Sequence, residues 1–143
     1  MDDEELLARY GDVGVDHDLR AQRAGWLDHR LLIDRCGACG RWHEPPAPIC
    51  PDCWSAAIEP TPVTGDGTIH MAIFLHQGPP APGVTYTTPY PVVVVELDEQ
   101  EGLRAVGTVV DADGADIQIG GRVALAWIER HGAPRPAFRL VRS

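Results

Sequence analysis

The sequence predicts a mainly β protein with N-terminal helices, in which a small four-cysteine metal ribbon precedes a small barrel or sandwich. Three observations predict it. All four cysteines fall in two Cys-x-x-Cys pairs, Cys36/Cys39 and Cys50/Cys53, separated by ten residues. From about residue 58, short β-rich segments alternate with Gly, Asp and Pro turn residues. Between residues 16 and 30, Leu19, Gln22, Arg23, Trp26 and Arg30 recur at helical spacing. A chain of 143 residues, 44% hydrophobic, suffices for one compact domain, or for a tiny metal module plus a modest barrel.

Residues 1–34 read as a helical lead. Asp2 or Asp3 can cap a short helix through Glu4, Glu5, Leu6, Leu7 and Tyr10, with acids at its positive end. Gly11 and Gly14 interrupt it. A second helix is expected over residues 16–29, but its stripe is only partly apolar, so it must dock on the barrel or on a partner to be stable. Leu31-Leu32-Ile33 predicts a short strand into the first cysteine. Residues 35–57 form the ribbon, with Pro45, Pro46, Pro48 and Pro51.

Residues 58–143 form the barrel. The turn Gly65-Asp66-Gly67 opens a strand over 68–75. A loop over 77–91 carries five prolines and two glycines, together with Tyr86 and Tyr90. It reads equally as a protein-contacting element and as mobile surface. The valine run 91–97 predicts a strand buried on both sides. Segment 103–110 follows, then a hairpin-type turn at 111–114. Strands at 117–119, 123–128 and 138–141 complete the set.

Two Cys-x-x-Cys hooks on a short connector can converge on one tetrahedral cation. Four ligands with none to spare, Cys36, Cys39, Cys50 and Cys53, describe a closed structural site with no open position for water or substrate. Paired disulfides would need an oxidising compartment, and two such hooks together favour metal over a redox pair. Zinc is the expected cofactor, with iron possible in the same four-thiolate cage.

The remaining residues restrict function. A net charge of -9 opposes nucleic-acid binding, whose affinity comes mainly from cations on phosphates. No apolar run approaches a membrane span. The acidic start Met1-Asp2-Asp3-Glu4-Glu5 lacks the basic start and apolar core of a secretory signal, which predicts a cytoplasmic protein. His43 is expected to face solvent on the connector between the hooks, and the run Asp98-Glu99-Gln100-Glu101 to be a solvated tip. His70 and His76 join no acid or nucleophile, the thiols are committed, and no phosphate loop is present. No catalytic residue is assigned.

In this order, the chain resembles the rubredoxin-like zinc ribbon plus OB-fold proteins associated with acyl-CoA metabolism. The resemblance rests on residues 26–36, Cys-Gly-Ala-Cys-Gly at 36–40, Pro45-Pro46 and Cys-Pro-Asp-Cys at 50–53. In the barrel it rests on Gly65-Asp66-Gly67-Thr68, Pro89-Tyr90-Pro91-Val92, Val95-Glu96-Leu97-Asp98, 119–123 and 136–138. It implies a rubredoxin-like zinc ribbon followed by an OB-type β-barrel. It further implies a non-catalytic accessory subunit that docks on a thiolase-fold aldolase or thiolase, or pairs with a MaoC-like hydratase. Acyl-CoA would be met only through the complex, as in retro-aldol cleavage during steroid side-chain degradation, in a 2:2 assembly around the partner's dimer. Arg104, Arg122, Arg139 and Arg142 are the barrel cations that could meet CoA phosphates. Ala47 stands where the family often carries arginine, and Trp54 where it often carries glycine, which is expected to change the local turn. A single-strand nucleic-acid module and a rubredoxin-like electron carrier are the alternative readings.

Overall fold

A computed structural model describes residues 3–78 and 85–142. Among these residues two short α-helices, α1 (Asp3–Tyr10) and α2 (Arg20–Leu27), precede nine strands. The ribbon sheet has the order β2-β1-β3, from β1 (Leu32–Cys36), β2 (Trp42–His43) and β3 (Ile58–Pro62). The barrel comprises β4 (Gly67–Leu75), β5 (Tyr90–Leu97), β6 (Arg104–Gly107), β7 (Val109–Val110), β8 (Arg122–Arg130) and β9 (Ala133–Leu140). The chain is mostly β, as its short β-rich segments and turn residues predict.

The second helix is shorter than expected because a turn precedes it and a left-handed residue closes it. Asp16 accepts the Leu19 amide at 2.9 Å and holds residues 17–19 in a turn. At the other end His29 takes φ 57, a left-handed stop usually given to glycine. The polar stripe is explained as well: buried Arg23 donates to the Gly14 and Val13 carbonyls and lies 4.1 Å from the Trp26 ring centre. Gly25 allows the close crossing, since a Cβ there would meet the Leu32 side chain at 2.7 Å. The expected caps Asp2 and Asp3 have side chains outside what the structure describes.

Both helices dock on the chain's own barrel. Leu6, Tyr10 and Ala133 are fully buried together, with Val15, Trp26 and Leu27 packed around them. The Tyr10 hydroxyl donates to the Pro134 carbonyl at 2.7 Å. Arg135, 7% exposed, forks onto Asp12 at 2.8 and 2.5 Å and donates to the Arg9 carbonyl.

The barrel closes through one bent strand. Its first half, β6, pairs with β5 (Val93 opposite Gly107); its second half, β7, runs parallel to β9 (Val109 opposite Phe138). The row β6-β5-β4-β8-β9-β7 therefore joins its own ends, as a five-stranded OB-type barrel does. Closure stops short on the β6 side. The Phe138 amide donates to the Thr108 carbonyl, so the next β9 residues facing that edge are Pro136 and Pro134, neither of which has an N–H. The seam that remains is covered by α2 over a cavity of about 240 Å³, with Trp26 and Val106 at its walls and Phe138 at its floor.

Four sequence expectations are corrected. The valine strand is one-sided: Val93, Val95 and Leu97 are buried while Val92 and Val94 are half-buried, the alternation of an antiparallel barrel. Residues 111–114 do not make a hairpin turn, because β7 leaves them for a parallel pairing. Residues 117–119 form no strand; a 3-10 turn at Gly114–Asp116 hands a buried Ile117 to the core. The last strand begins at Ala133 rather than 138, its prolines being tolerated because their nitrogens face the seam.

One apolar cluster spans both sheets. Ile69, Val93, Val95, Leu97, Val123 and Phe138 of the barrel pack with Leu31, Ile33, Trp42 and Val63 from the ribbon side. Strand β3, where the expected barrel begins, is hydrogen-bonded to β1 of the ribbon along its whole length.

Candidate metal centre and its surroundings

Strand β1 delivers Cys36, and two turns of the same kind deliver the other thiols. In the first hook the Gly40 amide donates to the Cys36 carbonyl (2.8 Å) and the Cys36 amide to the Arg41 carbonyl (2.8 Å). In the second the Trp54 amide donates to the Cys50 carbonyl (2.9 Å) and the Cys50 amide to the Ser55 carbonyl (2.9 Å). Trp54 does not change this turn, contrary to expectation; it adopts φ 67, matching Gly40 at φ 78.

The four sulfurs lie within 4.8 Å of one another, with Cys36 Sγ 3.5 Å from Cys53 Sγ and Cys39 Sγ 3.7 Å from Cys50 Sγ. These spacings are too long for a disulfide, whose sulfurs sit about 2.05 Å apart. The 3.5 and 3.7 Å pairs are close to the edge of a tetrahedron with metal–sulfur bonds of about 2.3 Å, which is about 3.8 Å. The Cys39 amide points at Cys36 Sγ (3.4 Å), and this hydrogen bond leads in drawing the Cys36 thiol down to about 6. Cys53 goes the other way. The Ser55 amide favours its thiolate, but the neighbouring thiols, Cys36 first, push it up to about 12. Four thiolates this close repel, and a divalent cation is what lets all of them ionise. The donor set therefore fits a four-thiolate metal site. Cys36 and Cys50 are buried, Cys39 and Cys53 face solvent.

The surroundings differ from the sequence reading in two places. His43 does not face solvent. It sits opposite Asp34 across the β1–β2 ladder, and both its ring nitrogens are buried without a hydrogen-bond partner among the described residues. Asp34 is buried too; burial pushes its carboxyl up, while His43 and the Ala47 amide pull it back. Nor is the run 98–101 a free tip. The Gln100 carboxamide accepts from the Trp42 amide and donates to the Trp42 carbonyl, both at 2.9 Å, replacing a strand neighbour for β2. Glu99 accepts from the Thr64 amide at 2.9 Å. The run thus ties barrel to ribbon, and no periodicity in the sequence marks it.

Of the four barrel arginines, Arg122 is held bidentately by Asp98 at 2.7 and 2.6 Å, Arg142 lies 3.5 Å from Asp116, and Arg104 4.0 Å from Glu96. Arg139 is exposed, with no ion pair among the described residues. No helix among those residues is long and apolar enough to cross a membrane.

Comparison with known proteins agrees with this architecture. Residues 16–59 match the family described as "ChsH2, rubredoxin-like zinc ribbon domain", and residues 60–128 "ChsH2, C-terminal OB-fold domain". A probable enoyl-CoA hydratase alpha subunit of Thermomonospora curvata is 39% identical over 115 residues; the match covers 78% of this chain and only 34% of that protein. A DUF35 domain-containing scaffold protein of Methanothermobacter thermautotrophicus is 31% identical over 100 residues, covering 69% and 72% of the two chains. Among solved structures, a chain of the Ltp2-ChsH2(DUF35) aldolase superposes with a TM-score of 0.79 at 34% identity, covering 89% of this chain and 97% of that one. With a cysteine cluster on the ribbon and a self-closing five-stranded barrel behind it, the chain belongs to the ChsH2/DUF35 family of zinc-ribbon and OB-fold proteins.

Proposed function

We propose that the chain is a non-catalytic accessory subunit that docks on a thiolase-superfamily acyl-CoA enzyme. The observation that carries this is the 97% coverage, at 34% identity, of a chain of an aldolase complex. The finer reading is an aldolase that breaks a carbon–carbon bond of a β-hydroxyacyl-CoA by a retro-aldol step, as in steroid side-chain degradation, in a 2:2 assembly. The hydratase name of a relative keeps a MaoC-like hydratase as a second partner. The carbon–carbon chemistry belongs to the partner; this chain contributes a rigid surface and support for CoA binding. Arg139 is the barrel cation left for a phosphate, Arg122 being committed to Asp98.

In this proposal Cys36, Cys39, Cys50 and Cys53 hold zinc as a structural cross-link, iron being the alternative occupant. The chain divides into a helical lead (1–34), a ribbon (35–57) and a barrel (58–143), joined through β3. Such a metal stabilises a turn-rich module that is too small for a core of its own.

Co-expression with thiolase-superfamily and MaoC-like proteins from the same source, followed by light scattering on the co-eluting peak, tests the docking. A stoichiometric complex with a thiolase-superfamily enzyme is expected. A chain that elutes alone beside every such enzyme refutes it.

A further inference from the structure

The two cysteine hooks share one backbone turn but not one residue at its last position. Gly40 takes the left-handed conformation in the first (φ 78) and Trp54 in the second (φ 67). That region suits glycine, and a bulky side chain is strained in it. The Trp54 indole is also 82% exposed, and among the described residues no ring or guanidinium packs against it. Ile49, 52% exposed, flanks the same hook. Among the described residues, the fold thus holds its most exposed large apolar side chain in a conformation that disfavours it, with no ring or cation contact in return. The neighbouring charges are already matched, Arg41 to Asp52 at 2.7 Å. The ribbon tip therefore presents an exposed aromatic knob whose flanking Arg41 and Asp52 neutralise each other.

We propose that Trp54 is the anchor by which the ribbon docks into an apolar, concave pocket on the acyl-CoA enzyme. This rests on the docking reading above and names the contact that carries it. A protein pocket is the occupant that fits. Stacking on nucleic acid would need cations beside the ring, and the chain carries a net charge of -9. Tryptophan is among the residues most enriched at the energetic centres of protein interfaces, where a rigid ring fills a desolvated pocket.

The test compares wild type with Trp54→Gly and Trp54→Phe, reading zinc content, Tm of the isolated chain, and affinity for the co-purifying thiolase-superfamily enzyme. Glycine relieves the backbone, so Trp54→Gly keeps its metal and its Tm rises by roughly 2–4 °C. The same variant binds the enzyme about 30-fold or more weaker. Trp54→Phe recovers part of that affinity at the wild-type Tm. Opposite signs for stability and affinity are the result that a merely structural tryptophan cannot give. Unchanged affinity in Trp54→Gly, with wild type binding normally, overturns the anchor and leaves the docking reading intact. A wild-type chain that binds no such enzyme refutes the docking reading, and the anchor falls with it. Co-sedimentation of wild type with phosphatidylcholine vesicles, lost in Trp54→Gly, would make the knob a membrane anchor and overturn the assignment.

Discussion

Gln100 joins the ribbon to the barrel, because both hydrogen bonds of its carboxamide go to the backbone of Trp42. Trp42 is buried and belongs to the shared core, so water replaces those bonds poorly. Gln100→Ala should cost about 1–3 kcal/mol, read as a lower urea midpoint at unchanged slope. Asp12 makes the corresponding tie for the helical lead. Hydrogen bonds from Arg135 hold its carboxyl below the usual aspartate range, outweighing partial burial, with the guanidinium charge adding to them. An unfolded aspartate titrates near about 3.9. With the folded value below that, the stabilisation is complete above the unfolded pKa and is lost as pH falls through the folded one. The stability gap between wild type and Asp12→Asn should therefore be present from neutral pH to about 5 and narrow as pH falls below the unfolded value of about 3.9. A gap that widened on acidification would contradict this pairing. The exposed pair Asp98–Arg122 carries the same sign.

Among the elements, the ribbon and the barrel are not independent. Leu31, Ile33, Trp42 and Val63 lie in the same apolar cluster as the barrel strands. Removing the metal should therefore lower the stability of the whole chain in a single transition, rather than melt the ribbon and spare the barrel. Calorimetry after chelation, or on Cys50→Ser, checks this; an unchanged barrel transition would show two separate units. The element types that carry strong local signals were legible in the sequence. The hooks were read from spacing alone, and β4 and β5 from β-branched runs. What escaped was set by distant partners. Prolines hid the first half of β9, since only the path of the barrel shows that the nitrogens of Pro134 and Pro136 face an unpaired seam. The charge run at 98–101 has no local feature that marks Gln100 as a bridge, because its partner lies 58 residues away. Helix α2 was drawn too long because its mixed stripe runs past the helix at both ends, where residues 17–19 form a turn and the Asp28 and His29 amides fold back onto Gly25 and Trp26.

For the whole molecule, the chain has the parts of a scaffold. A cysteine cluster marks one end, a barrel with one unpaired seam forms the other, and a helical lead is fastened to β9 by Tyr10 and Arg135. The thiols are engaged with one another, and the barrel's bidentate arginine with an aspartate. On this account the chain acts through an enzyme it binds. Its central claim is tested most directly by the rate of β-hydroxyacyl-CoA cleavage, measured for the chain alone, the thiolase-superfamily partner alone, and the two titrated together. The account predicts no turnover by the chain alone and a partner rate that rises until the two proteins are equimolar. Cleavage by the isolated chain, or a partner equally active without it, would contradict the account.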